Sequence, residues 1–131
     1  MKKIGVLNKD LSDVMAGMGH NDMLVVGDAG LPIPANIRRI DLAIKAGLPG
    51  FIETVDAINS ELKVDTIIIA EEMGKVSPKI EKELISIFKD AKIQRVSHNE
   101  LKELCRNAVA IVRTGEFTPF ANVILVSGVV F

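Results

Sequence analysis

The chain has one cysteine, two histidines and a net charge of −1, and each scarcity removes a class of chemistry. A lone thiol, Cys105, excludes an internal disulfide framework and fits a reducing compartment. One Cys and two His without H-E-x-x-H spacing argue against a zinc site, structural or catalytic. The near-neutral charge gives no global field toward nucleic acid or an anionic membrane. No apolar run approaches the ~18 residues that span a bilayer. Met1-Lys2-Lys3 has the positive start of a secretory signal, but Asn8-Lys9-Asp10 breaks its apolar stretch and no small-residue cleavage site follows. A soluble, cytoplasmic protein is expected. Missing too are the phosphate loop G-x-x-x-x-G-K-[ST], the dinucleotide fingerprint G-x-G-x-x-G and the G-x-S-x-G elbow of serine hydrolases. Gly27-Asp28-Ala29-Gly30 has the wrong glycine spacing for the first two and carries a carboxylate that would repel phosphate.

What is present is an ordinary globular composition, 48% hydrophobic and 25% charged over 131 residues. That length suits a single domain spanning 1–131 with a real core and no room for a second. Asn8 reads as a helix N-cap ahead of Leu11, Val14, Met15 and Met18, with Gly19 in the left-handed position that ends the helix. Met23 to Val26 reads as a buried strand, and Arg38 to Ile44 alternates as another would. Phe51, Ile52, Val55, Ile58 and Leu62 make a helical stripe after Pro49-Gly50. Val64 to Ala70 is the strongest strand, β-branched and almost uninterrupted.

Ser77-Pro78 predicts an N-cap followed by proline at the first helical position, leading Ile80, Leu84, Ile87 and Phe88 along one face. Ala91 to Val96 is strand-like, and Ser97 with Glu100 forms a capping box for a helix to about Arg106. Ala108 to Val112 and Val123 to Val130 complete the strands. Alternating strands and helices predict an α/β fold: a single compact layered domain with a largely parallel central sheet flanked by helices. The apolar end Val129-Val130-Phe131 calls for burial in the sheet or in a subunit contact.

Polar groups cluster in two Gly- and Pro-containing stretches, Gly17 to Pro34 and Thr118 to Asn122. They hold His20, Asp28 and Asn122; His98 lies at a predicted helix start, and Lys102 one turn beyond it. Two imidazoles, a carboxylate and an amide can move protons on a neutral polyol without any cofactor or metal. His20 past one helix end and His98 in the first turn of another would sit in different electrostatic surroundings. Singly, each residue has a structural reading of equal or greater weight. His20 can be a C-cap, His98 and Lys102 surface residues, Asp28 a turn acceptor and Asn122 a turn residue.

The strings Gly19-His20-Asn21-Asp22, Val26-Gly27-Asp28-Ala29-Gly30 and Gly115-Glu116-Phe117-Thr118-Pro119-Phe120-Ala121-Asn122-Val123-Ile124-Leu125 resemble the sugar mutarotase family that contains the ribose pyranases and L-fucose mutarotases. The resemblance runs from Lys2-Lys3 through Ile37-Arg38-Arg39-Ile40-Asp41 to Gly128-Val129-Val130-Phe131, with the length and ending of the ribose branch. It implies a cofactor-free isomerase interconverting β-pyranose and β-furanose forms of D-ribose in support of ribose uptake and phosphorylation. It also implies a compact α/β fold in a ring-shaped homodecamer with sites at subunit interfaces. By the same resemblance His20 matches the catalytic acid/base, and Asp28, His98 and Phe120-Ala121-Asn122 match sugar-binding positions, with Lys102 assisting. Phe120 stands where many relatives have tyrosine, so any role of that hydroxyl is lost here. The alternatives are a non-catalytic ribose-binding accessory of a transporter and a mutarotase for another sugar such as fucose.

Overall fold

Apolar runs with no polar alternation have to be covered on both faces, and here they form the middle of one sheet. The computed structural model describes Met1–Phe131. Its strands are β1 (Met23–Gly27), β2 (Arg39–Asp41), β3 (Val64–Ala70), β4 (Lys92–Val96), β5 (Ala110–Arg113) and β6 (Val123–Ser127). They lie in the order β2-β5-β1-β6-β3-β4. Five strands run in one direction, and only β6, between β1 and β3, runs against them. The helices are α1 (Lys9–Gly17), α2 (Phe51–Asn59), α3 (Glu71–Val76), α4 (Pro78–Ile87) and α5 (His98–Leu104), the last extended by a 3₁₀ turn over Cys105–Asn107.

Alternate residues of each central strand enter opposite cores. Leu24 and Val26 join the larger core with Leu11 of α1, Phe51 and Val55 of α2 and Leu84 of α4. Val25 faces the smaller one with Leu101 of α5 and Cys105. The layered α/β architecture with a largely parallel sheet is thus present. No helix is long and apolar enough to cross a membrane.

Several local expectations hold. Asn8 caps α1, its Oδ1 accepting from the Leu11 amide at 2.9 Å, and β3 spans Val64–Ala70 as read. Others need correction. Gly19 is not the left-handed residue; Asn21 is, at φ +70°. The Asp22 carboxylate accepts from the Gly19 amide at 2.8 Å, and the left-handed position falls two residues later, on a residue type that tolerates this conformation. The second strand shrinks to Arg39–Asp41, because Asp41 Oδ1 takes the Ala43 amide at 3.0 Å and turns the chain.

Ser77 precedes Pro78 at the start of α4 but does not cap it; its hydroxyl donates to the Pro119 carbonyl at 2.7 Å. Only one arm of the Ser97–Glu100 box forms, Ser97 Oγ accepting from the Glu100 amide at 3.1 Å. The last strand ends at Ser127, and the terminal residues leave the sheet with Val130 86% and Phe131 101% exposed.

Cys105 is 1% exposed, and burial pushes its thiol up to about 11. Reactivity follows the thiolate. The folded protein is therefore expected to resist iodoacetamide at pH 8 and to label stoichiometrically once unfolded in guanidinium, as mass spectrometry would read.

Candidate functional site

In a sheet of mainly parallel strands, the loops that follow the strands share one edge, and ligands bind there. Asp28 follows β1, Glu72 follows β3, His98 lies two residues beyond β4, and Arg113 ends β5. Because β6 runs the other way, the segment leading into it, Thr118 to Asn122, reaches the same edge.

Asp28 and Asn122, 94 positions apart, interlock there. The Asp28 amide donates to Asn122 Oδ1 at 2.9 Å, and Asn122 Nδ2 donates to Asp28 Oδ2 at 2.9 Å. Asn122 is wholly buried, so this pairing fixes which way its amide faces. Asp28 Oδ1 also accepts from the Gly30 amide at 2.9 Å. Each carboxylate oxygen thus has one donor, and a carboxylate offers about four acceptor positions. The remaining capacity suits hydroxyl groups.

The close approach depends on Gly27. A Cβ there would lie 2.6 Å from Leu31 Cδ2 and 2.9 Å from Asn122 Oδ1. Gly27→Ala is expected to destabilise the fold by about 1–3 kcal/mol, the usual cost of overpacking. A lower urea midpoint at unchanged slope would show it.

Phe120 adopts φ +61°, a conformation that a bulky residue holds only when its surroundings impose it. Three contacts hold the segment: Ala121 N to Thr118 O at 3.4 Å, Asn122 N to Phe120 O at 2.8 Å, and the Ser77 hydroxyl on Pro119. The Phe120 ring then meets His98 edge-on, centroids 5.0 Å apart and planes at 81°. His98 is half-buried. Its backbone amide, one of the unpaired donors of the first turn of α5, is taken by Glu72 Oε2 at 2.9 Å. Its ring Nδ1 is buried with no partner in the chain.

Ala121 is fully buried and packs into the larger core, so it offers the site only backbone. Lys102 lies farther along α5 and lines a separate hollow of about 330 Å³ with Pro32, Ile33 and Pro34.

His20 is not with the others. It is exposed and sits before β1, where the Asn21 amide donates to the Ser127 carbonyl at 2.9 Å and the Ser127 hydroxyl bonds the Gly19 carbonyl. That is the opposite edge of the sheet. The five residues of β1 intervene, about 16 Å at ~3.3 Å per residue. Gly128, bonded to the Lys63 carbonyl at 2.9 Å, starts the exposed tail from this same edge.

The residue pattern did not reveal two carboxylates. Glu72 holds His98. Glu116 accepts from the Phe51 amide on Oε2 at 3.1 Å and from the Thr118 amide and hydroxyl on Oε1 at 3.1 and 2.7 Å. Burial alone would push the Glu116 carboxyl up. The Thr118 hydroxyl and the amides of Phe51, Thr118 and Phe117, all donating to it, hold it below the ordinary carboxylate value. Both carboxylates serve backbone amides, which leave no signature in residue type or spacing; the one hint was the placement of Glu116 inside the polar Gly115-to-Asn122 string.

A cavity of about 380 Å³ opens between Asp28, Arg113, Glu116 and Thr118, within the size range of small-molecule sites. A larger hollow of about 680 Å³ lies near Asn59, Lys63 and Lys89. It touches none of these groups, so chemistry rather than volume locates the site. No group of three or more His, Cys, Asp and Glu side chains is placed to hold a metal ion.

The sequence model of the RbsD / FucU transport protein family matches residues 1–130. A D-ribose pyranase from Clostridium perfringens is 54% identical over 131 residues, with both chains covered in full. Among solved structures, Bacillus subtilis RbsD complexed with D-ribose superposes with a TM-score of 0.97 at 44% identity, again with both chains fully covered. The fucose mutarotase of Streptococcus pneumoniae in complex with L-fucose reaches 0.81 at 27% identity, over 95% of each chain.

Proposed function

We propose that this chain, which belongs to the RbsD / FucU transport protein family, is a cofactor-independent isomerase of D-ribose, a single mutarotase domain over residues 1–131. It interconverts β-D-ribopyranose and β-D-ribofuranose. The supporting observation is a polar edge, with Asp28 held by Asn122 and His98 set against Phe120, in a chain that matches a D-ribose pyranase from end to end.

A pyranose must open before it recloses as a furanose. A proton leaves the anomeric hydroxyl while another reaches the ring oxygen, and closure through the C4 hydroxyl reverses the traffic with a different oxygen. Asp28 accepts from sugar hydroxyls, Asn122 holds Asp28, and the His98 ring takes a further hydroxyl. Phe120, lacking a hydroxyl of its own, contributes its ring face. His20 is the acid/base. General acid–base catalysis of this kind supplies ~10²–10⁴-fold, adequate for a reaction that already proceeds unaided.

One chain cannot assemble that set, since His20 lies across the sheet. The site is therefore completed between subunits, the His20 edge of one chain meeting the Asp28 edge of the next. The exposed apolar residues Val130 and Phe131 leave from the His20 edge and give that contact its hydrophobic part. A ring-shaped decamer in the cytoplasm, delivering ribose in the form a ribokinase uses, completes the reading.

Magnetisation-exchange NMR of equilibrated D-ribose tests the activity. Faster pyranose–furanose exchange with protein present is expected. Ribose binding without acceleration would leave a non-catalytic accessory of transport, the sense of the family's description. Likeness to a fucose mutarotase favours a second reading, isomerisation of another sugar; a panel including L-fucose separates the two by which sugar exchanges fastest.

A further inference from the structure

We propose that Glu116 is a positioning residue for this isomerisation, acting through the turn that carries Asp28 and the segment that carries Phe120 and Asn122. The inference rests on the isomerase reading above and adds to it a residue outside the sugar's contacts.

Glu116 is where three parts of the site are tied together. Its carboxylate joins the first residue of α2, through the Phe51 amide, to the Thr118 amide and hydroxyl. Phe51 is wholly buried, so the anchor on that side is rigid. The Glu116 carbonyl accepts from the Ala29 amide at 2.8 Å, directly beside Asp28, and Arg113 Nε holds the Ala29 carbonyl at 3.1 Å. The Glu116 amide donates to the Thr114 hydroxyl at 3.2 Å, and that hydroxyl donates to the Gly27 carbonyl at 2.8 Å. Gly115 lets this segment press against the loop before α2, for a Cβ there would lie 2.5 Å from the Lys45 carbonyl oxygen.

Only a carboxylate fits this role. Donors arrive on both oxygens, and an amide has one oxygen and an NH₂ that must face an N–H or O–H. In Glu116→Gln either the Phe51 amide or the Thr118 pair loses its acceptor. Thr118 then loosens, and Phe120, held at φ +61° by its surroundings, is free to relax. Asn122 and its partner Asp28 shift with it. Misplacement of reacting groups by about 1 Å costs on the order of 10²-fold.

The test uses the full-length, assembled protein. Exchange at saturating ribose is measured by NMR and ribose affinity by calorimetry, with circular dichroism and gel filtration reporting fold and assembly. Glu116→Gln is expected to slow exchange by about 10–100-fold and to weaken ribose affinity as well, because the groups it displaces are Asp28 and Asn122. Thr118→Val removes one donor to the same carboxylate and should give a smaller loss with unchanged melting. The double variant should be no slower than Glu116→Gln alone, because the two residues act as one unit.

Wild-type exchange in a folded Glu116→Gln protein overturns the proposal, as does a fully multiplicative double variant. Should Glu116→Gln not fold, Thr118→Val decides: slowed exchange with intact fold supports the role, and wild-type exchange overturns it. If the wild-type protein binds ribose without accelerating exchange, the isomerase reading falls separately. Affinity then decides for Glu116, weakened in Glu116→Gln if it positions the site and unchanged if it does not. Wild-type protein that neither binds ribose nor accelerates its exchange overturns both.

Discussion

Replacing His20 with alanine is expected to slow ribose ring exchange by about 10²–10⁴-fold while ribose affinity changes little. The separation follows from where the side chain sits. The turn around His20 is closed by Asp22 N to Gly19 O at 3.2 Å, Asn21 N to Ser127 O at 2.9 Å, and the Asp22 carboxylate on the Gly19 amide. None of these bonds uses the imidazole, so the backbone keeps its shape without it. In the proposed site affinity comes from the other edge, where Asp28, held by Asn122, and the His98 ring meet sugar hydroxyls. On the proposed reading, removing His20 takes away proton transfer and leaves the binding surface. Exchange NMR at saturating ribose and calorimetry on the same sample measure the two quantities. Equal losses in both would make His20 a binding residue, and exchange at the wild-type rate would remove it from the chemistry.

The strands were legible because burial on both faces leaves little choice of residue. Leu24, Val25 and Val26 are wholly buried, as are Ile67 and Ile69, and such runs have no other place in a protein of this size. Helix α3 was not legible. Its sequence Glu71-Glu72-Met73-Gly74-Lys75-Val76 buries only Met73, which provides no period to detect. The left-handed residue went to Asn21 rather than Gly19 because a carboxylate three positions from Gly19 competed for its amide, an interaction that glycine placement does not encode.

At the site, residue types pointed to polar loops, while convergence depended on topology. Asp28 and Asn122 meet only because β1 and β6 are antiparallel neighbours, and no spacing in the chain states that pairing. The separation of His20 from Asp28 has a simpler origin. One precedes β1 and the other follows it, and the two ends of a strand open on opposite edges of a sheet. Glu72 and Glu116 stayed hidden because their partners are backbone amides, which every residue carries.

That separation leads to the second large effect, a rescue. A subunit carrying His20→Ala keeps an intact Asp28 edge, and a subunit carrying Asn122→Ala keeps an intact His20 edge. Each homogeneous variant is expected to be nearly inactive, the first for want of the acid/base and the second because Asp28 loses the amide that holds it at 2.9 Å. Mixed by co-expression or by unfolding and refolding together, the two should regain activity. If each site takes His20 from one chain and the remaining groups from its neighbour, random mixing at equal amounts pairs the two intact edges in about a quarter of the sites. Exchange should therefore recover to about a quarter of wild type, and to none when the variants are mixed without dissociation. A site contained in one chain predicts no recovery under either treatment, since every chain would carry a defect. The position of His20 across five residues of β1 makes recovery the expected result, and its absence, with mixed assemblies verified by mass, would return the site to a single subunit and require His20 to be replaced as the acid/base.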